Sequence, residues 1–180
     1  MKTKMLIFVF LLGITDLFAQ TLYVPGAIVK GKNASYYCAF ENKLVVRVYN
    51  VNNVDTTTTM YYDDGTVVPH YVGLGGTIAT KTEDLVRVFQ ETLTQEERNI
   101  LKSKISYLLI LNVVTDKQGN TLEITFRLRN YDPVMTKFDP DRLYQLEQNL
   151  KKVLKLNPSK ADSSIKNMKY FLPISYKDLK

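Results

Sequence analysis

Leu122-Glu123-Ile124-Thr125-Phe126-Arg127-Leu128-Arg129 alternates without a break between apolar and polar side chains. Successive side chains of a β-strand leave opposite faces, so this stretch specifies a strand with Leu122, Ile124, Phe126 and Leu128 buried and Glu123, Thr125, Arg127 and Arg129 wet. A slip of one residue would bury both arginines, which fixes the register. Immediately upstream, Asp116-Lys117-Gln118-Gly119-Asn120 reads as a hairpin loop, preceded by the almost continuously apolar run Ile105 to Thr115. Apolar residues at both parities make that run the more central strand.

Helices flank this hairpin. On the C-terminal side Asp139 is placed to cap a helix that opens with Pro140, where a missing N–H costs nothing. Leu143, Leu146, Leu150, Val153 and Leu154 form its buried stripe, Lys151, Lys152 and Lys155 complement the negative end of its dipole, and Asn157-Pro158 ends it. Tyr170 to Tyr176 is a closing strand, and Pro173, which cannot donate to a ladder, assigns it to an edge or a bulge. On the N-terminal side Thr80 with Glu83 has the spacing of a capping box, followed by the stripe Leu85, Val88, Phe89 and Leu93. Thr94 with Glu97 repeats the box and starts a second short helix that carries Ile100 and Leu101 inward. The fold class is therefore α+β: a helix-strand-strand-helix-strand layer, a small antiparallel sheet with helices on one face.

Further upstream the chain is β-rich. Tyr36 to Phe40 and Leu44 to Val51 make one hairpin around Glu41-Asn42-Lys43, and Thr59 to Tyr62 and Thr66 to Val68 suggest a second around Asp63-Asp64-Gly65. The cluster Gly73-Leu74-Gly75-Gly76 reads as a flexible joint between the halves. The expected organisation is a signal peptide over 1–19, a β-rich segment over 20–76 and an α+β domain over 77–180.

The C-terminal half resembles the C-terminal domain of TonB-type proteins. The resemblance rests on Leu109 to Asp116, Gly119, Leu122 to Leu128, the helix Pro140 to Leu154 and the closing Leu172-Pro173-Ile174-Ser175-Tyr176, and spans about the last hundred residues. It implies a fold and not an energy-coupling role: a TonB transducer carries an uncleaved membrane helix and a long proline-rich spacer, whereas the 6 prolines here are scattered. The style of the amino terminus and the β-rich preamble also resemble small secreted proteins of Gram-negative bacteria, a family without an assigned activity.

That amino terminus has Lys2 and Lys4, an apolar run from Met5 to Leu12, and Ala19 at a position suited to cleavage before Gln20. The run is shorter than the roughly 20 apolar residues a bilayer span needs, so the expected product is exported, periplasmic or surface-associated, with no membrane span after cleavage. Removing Lys2, Lys4 and Asp16 from 24 basic and 18 acidic residues leaves a net charge of +5. Basic residues are interleaved with acids, as in Glu96-Glu97-Arg98, which excludes nucleic acid as the expected partner. A lone Cys38 in an exported chain forms no internal disulfide, and within Tyr36-Tyr37-Cys38-Ala39-Phe40 its expected role is a small buried hydrophobe.

Candidate chemistry is sparse. With one histidine, His70, and one cysteine, a zinc cluster lacks ligands, and Asp63-Asp64-Gly65 lacks the spaced oxygens of a calcium loop, so neither metal nor cofactor is expected. A Cys38–His70 dyad uses the single copy of each, with nothing nearby in sequence to activate the thiol. Glu96 and Glu97 point apart on a helix and read as a helix-start pair, and the glycine cluster lacks the lysine-threonine of a phosphate loop. A binding face remains: Arg127 and Arg129 on the wet side of their strand, joined by Tyr107 and by the tyrosine pairs represented by Tyr36, Tyr61 and Tyr62. The expected function is non-catalytic binding of a protein or cell-envelope polymer. The alternative is a hydrolase acting on an external polymer with carboxylates that meet only in the fold.

Overall fold

Strand pairing follows the alternation at residues 122–129. A computed structural model describes residues 21–55, 57, 59–69, 72, 74–103 and 108–178. The elements in chain order are β1 (Ile28–Lys30), β2 (Ser35–Asn42), β3 (Val45–Asn50), β4 (Thr77–Ile78), α1 (Thr82–Thr92), α2 (Gln95–Lys102), β5 (Leu108–Thr115), β6 (Thr121–Arg129), α3 (Pro140–Val153), β7 (Leu156–Asn157) and β8 (Met168–Ser175). Six strands form one antiparallel sheet in the order β1-β2-β3-β6-β5-β8, and β4 pairs with β7 in a separate ribbon. The mixed α+β class with strand hairpins is as expected.

The sheet crosses the boundary expected at residues 76 and 77. Val46 lies opposite Leu128 and Val48 opposite Phe126, so β3 from the N-terminal segment zips directly onto β6. On the far side of β6, Phe126 faces Leu111 and Ile124 faces Val113 of β5. These side chains share one cluster with Val88, Phe89 and Leu93 of the α1 turn, Leu101 of α2, and Leu143, Leu146 and Leu150 of α3. Both segments therefore build a single core, because neither has enough strands alone to cover the apolar stripes of three helices. Leu122, expected inward, is half exposed: the β5–β6 register shifts here, pairing Glu123 with Val114 and Thr121 with Thr115, so Leu122 is the unpaired residue of a bulge.

Local chemistry sets the helix ends. Asp139 caps α3 by accepting from the amides of Asp141 and Arg142, and Thr94 and Glu97 form the expected capping box on α2. Thr80 does not cap α1, whose N-cap is Lys81: its hydroxyl instead donates to the Val153 carbonyl at 3.1 Å and accepts from the Lys155 amide at 2.8 Å, fastening the α1 approach to the end of α3. Arg142 clamps the three helices, donating to both Glu97 oxygens at 2.8 and 2.7 Å and to the Thr92 carbonyl at 2.7 Å, with its guanidinium 4.4 Å from the Phe138 ring centroid. The Arg142 hydrogen bond is the largest influence on the Glu97 carboxyl and holds it below the usual range, against the opposing effect of burial.

The second hairpin is short: Tyr61 bridges Val67, the Tyr62 amide donates to the Thr66 carbonyl at 2.8 Å and the Val68 amide to the Met60 carbonyl at 2.9 Å, while Tyr62 also bridges Ile165. At Gly75 and Gly76 the expected joint is packed: a side-chain carbon on Gly76 would lie 2.6 Å from the Asn157 carbonyl oxygen, and the Gly75 amide donates to Asp162 at 2.9 Å. Residues 1–19, expected to be a signal peptide, lie outside the described residues. Among the described residues no helix is long and apolar enough to cross a membrane.

Two outcomes are expected. Gly119 has φ +80°, and a side-chain carbon there would lie 1.8 Å from the Leu156 carbonyl oxygen, whereas Gly65 at φ +83° faces open space. Chemical denaturation should find Gly119→Ala destabilising by about 3 kcal/mol or more and Gly65→Ala by about 1 kcal/mol. Because the folded Glu97 carboxyl is held low, its contribution is complete above the unfolded value of about 4.3 and is lost as pH falls through the lower folded value. The gap in Tm between wild type and Glu97→Gln should thus be open at neutral pH and close in acid, while a pH-independent gap would contradict the Arg142 clamp.

Candidate functional site

With all three helices on one side, the other face of the sheet stays open. β3 presents Arg47 and Tyr49 to it, β6 presents Thr125, Arg127 and Arg129, β5 presents Ile110 and Asn112, and β8 presents Lys169, Phe171 and Pro173, as the registers require. In β2 alternation with Tyr37 and Ala39 puts Glu41 on this face, and the register shift that follows between Phe40 and Asn42 sets Asn42 opposite Val45. Arg127 then holds Glu41 by a bidentate pair, with Nε 2.9 Å from Oε2 and Nη2 on Oε1. Its guanidinium also lies 5.7 Å from the centroid of Phe171, whose ring is 53% exposed. Tyr37 and Tyr49 meet edge to face at 5.6 Å.

Two adjoining cavities open here. One of about 160 Å³ is lined by Glu41, Arg47, Asn112, Arg127 and Phe171. The other, of about 130 Å³, shares Asn112 and Phe171 and continues to Asp55, Thr57, Met60, Thr125 and Lys169. Asp55 and Thr57 wall this second end, and the chain leading to them is fastened to the sheet: the amides of Val54 and Asp55 donate to Glu123 at 2.8 and 3.0 Å, and Asn53 donates to the Ile124 carbonyl at 3.1 Å. Lys169, nearly buried, pairs with Asp55 and donates to the carbonyls of Thr57 and Thr59. Within the groove, Arg47 Nε and Asn112 Oδ1 are buried without a hydrogen-bond partner. An unpaired donor and an unpaired acceptor at one site are costly in a folded protein and are satisfied by a ligand that offers the complementary groups.

Of the residues singled out in the sequence, Arg127 and Arg129 do stand on the open face. Tyr36 does not. One residue out of parity with Tyr37, it points into the core, where its hydroxyl donates to Glu147 Oε2 at 2.8 Å, and Glu147 is also paired with Lys151 at 2.7 Å. Burial first, then the Glu147 carboxyl, raises the Tyr36 phenol far above its usual range, so it stays a neutral donor. Tyr61 and Tyr62 lie in the segment paired with Ile165 and Lys166, Tyr62 packed against a smaller cluster of Val68, Leu156, Ile165 and Met168 and Tyr61 exposed, and neither lines a cavity of the groove. Tyr107 lies outside the described residues, as does His70 of the Cys38–His70 pair. Cys38 is buried, and burial pushes its thiol up to about 11, far from a thiolate at neutral pH.

The groove residues that sequence reasoning passed over are Arg47, Asn112, Phe171, Glu41, Asp55 and Lys169. Two carried a signal: Asn112 interrupts an apolar run, and Arg47 sits between the inward Val46 and Val48. Among the described residues no group of three histidines, cysteines or acids is disposed to hold a metal ion. Asp64 holds a turn by accepting from the amide and hydroxyl of Thr66, and Asp63 pairs with Lys117.

No protein-family model matches the chain, and a search of curated proteins returned no significant match. Among solved structures, the chain is similar to a crystal structure of a DUF5043 family protein from Bacteroides uniformis, with a TM-score of 0.69 and 13% identity over 88% of this chain and 95% of that one. The likeness is one of fold. It spans both the N-terminal hairpins and the helical half, a wider reach than the last hundred residues that carry the TonB resemblance.

The opposite parities of Tyr36 and Tyr37 separate core from face. Tyr36→Phe removes the donor to buried Glu147 and should cost about 1–3 kcal/mol in urea unfolding. Tyr37→Phe should stay within about 0.5 kcal/mol.

Proposed function

We propose that the protein is an exported, non-catalytic binding protein that engages a protein or polymer of the cell envelope through the open face of its sheet. The observation that carries this reading is the groove at Asn112, where unpartnered polar atoms, guanidinium groups and an exposed aromatic ring converge on a face the helices leave bare. The carboxylates on that face favour binding over hydrolysis: Glu41 is taken by Arg127, Asp55 by Lys169, and Glu123 by two backbone amides. A hydrolase needs a carboxyl free to exchange a proton with its substrate. Export is supported by the lysine-flanked apolar run and by Ala19.

We also read the C-terminal half as TonB-like in the order of its elements. The succession helix, strand, hairpin loop, strand, helix, strand supports that reading, and it brings no energy-coupling role with it.

The test is retention of envelope extract on immobilised residues 20–180. Material held at low salt by the wild type and released by the paired substitution Arg47→Ala, Asn112→Ala supports the open face as the binding surface. Equal retention by the variant, with its fold intact by circular dichroism, contradicts it.

A further inference from the structure

Resting on the binding role above, we infer that the groove takes an acidic sugar, a hydroxylated ring bearing a carboxylate. Charge points first to an anion. Arg47, Arg127 and Arg129 share the β3–β6 part of the face with Glu41, which Arg127 already holds, so positive charge is in excess where Arg47 lines the cavity. The planar fork of a guanidinium matches a carboxylate in both geometry and charge.

An anion alone does not complete the site. The buried Asn112 carbonyl oxygen needs a donor, and a carboxylate, a sulfate or a doubly ionised phosphate brings acceptors only. A sugar acid brings ring hydroxyls, which donate to Asn112 while also accepting from Arg47 Nε. Phe171 supplies the third requirement, an exposed ring against which the C–H face of a sugar packs. Phe171 and Asn112 lie opposite each other in the β5–β8 register and line both cavities, so the ring and the amide stand at the wall the two cavities share.

An acidic peptide offers carboxylates and N–H donors too. Peptides recognised by sheets, however, add to an edge through main-chain hydrogen bonds, whereas the unmet groups here are side chains in the middle of a face.

The experiment is isothermal titration of residues 20–180 at low salt against four probes: oligogalacturonate, oligoglucuronate, oligosialic acid and poly-glutamate, with the methyl ester of whichever oligosaccharide binds as a neutral control. The expected result is binding to at least one acidic oligosaccharide, with affinity lowered about tenfold or more by methyl esterification, by Arg47→Lys and by Asn112→Leu, each variant melting within a few degrees of wild type. Arg47→Lys keeps the charge and Asn112→Leu keeps the volume, so loss of affinity in both reports the specific hydrogen bonds. Equal binding of poly-glutamate, equal binding of the ester, or unchanged affinity in both variants overturns the inference. If envelope material is retained and none of the three oligosaccharides binds, the acidic sugar is wrong and the binding role stands. If nothing is retained and nothing binds, both fall.

Discussion

Val46 against Leu128 and Val48 against Phe126 join two halves of the chain that no local interaction would hold together. β6 has β3 on one side and β5 on the other, so its alternation is read twice, once by each neighbour. Apolar positions in register across three strands make one continuous surface, and the helices have one place to bury their stripes. The same register puts Arg47 beside Arg127 and Thr125 beside Asn112 on the opposite side. Core and groove are thus two consequences of a single pairing: shifting β3 by one residue against β6 would turn valines outward and bury Arg47 and Tyr49 under the helices.

Polar contacts reinforce that arrangement from both sides. On the helical side, Asp141 at the start of α3 accepts from the amides of Lys32 and Asn33, locking the β1–β2 turn onto a helix from the other end of the chain. Tyr36 and Glu147 do the same inside the core. On the open side, Glu41 with Arg127 is a partly shielded ion pair and Asp55 with the nearly buried Lys169 a more enclosed one, and in each the partners orient one another while desolvation offsets much of their attraction. Their effect is to hold the groove walls in place, leaving Arg47 and Asn112 between them with unmet hydrogen-bonding capacity.

Much of the architecture is legible in the residues. The cap and proline at 139–140 and the box at Thr94 and Glu97 each specify one local geometry and form as read, and the alternation at 122–129 holds except at its start, where Leu122 is half exposed, and at Thr125, which is buried although its strand parity reads as wet. Tertiary context decides the rest. Thr80 and Glu83 have capping-box spacing, yet the Thr80 hydroxyl meets stronger demand from the backbone at the end of α3. The glycines at 75 and 76 serve close approach to Asn157 and Ser159, which a local reading takes for flexibility. The site was half legible for the same reason. Arg127 and Arg129 follow from the parity of one strand, but Arg47, Asn112 and Lys169 join them only once four strands are in order. Adjacent tyrosines look alike in sequence, so Tyr36 reads as a surface residue, and the pairing of β2 with β3 alone tells which one faces Glu147.

Native-state hydrogen exchange resolved by residue tests the β3–β6 junction directly. The amides of β3, β5 and β6 should open in one cooperative unit with the same free energy, because the sheet and its core are continuous across residue 76. Exchange of β2 and β3 as a separate, less protected unit while β5, β6 and α3 stay closed would contradict the account.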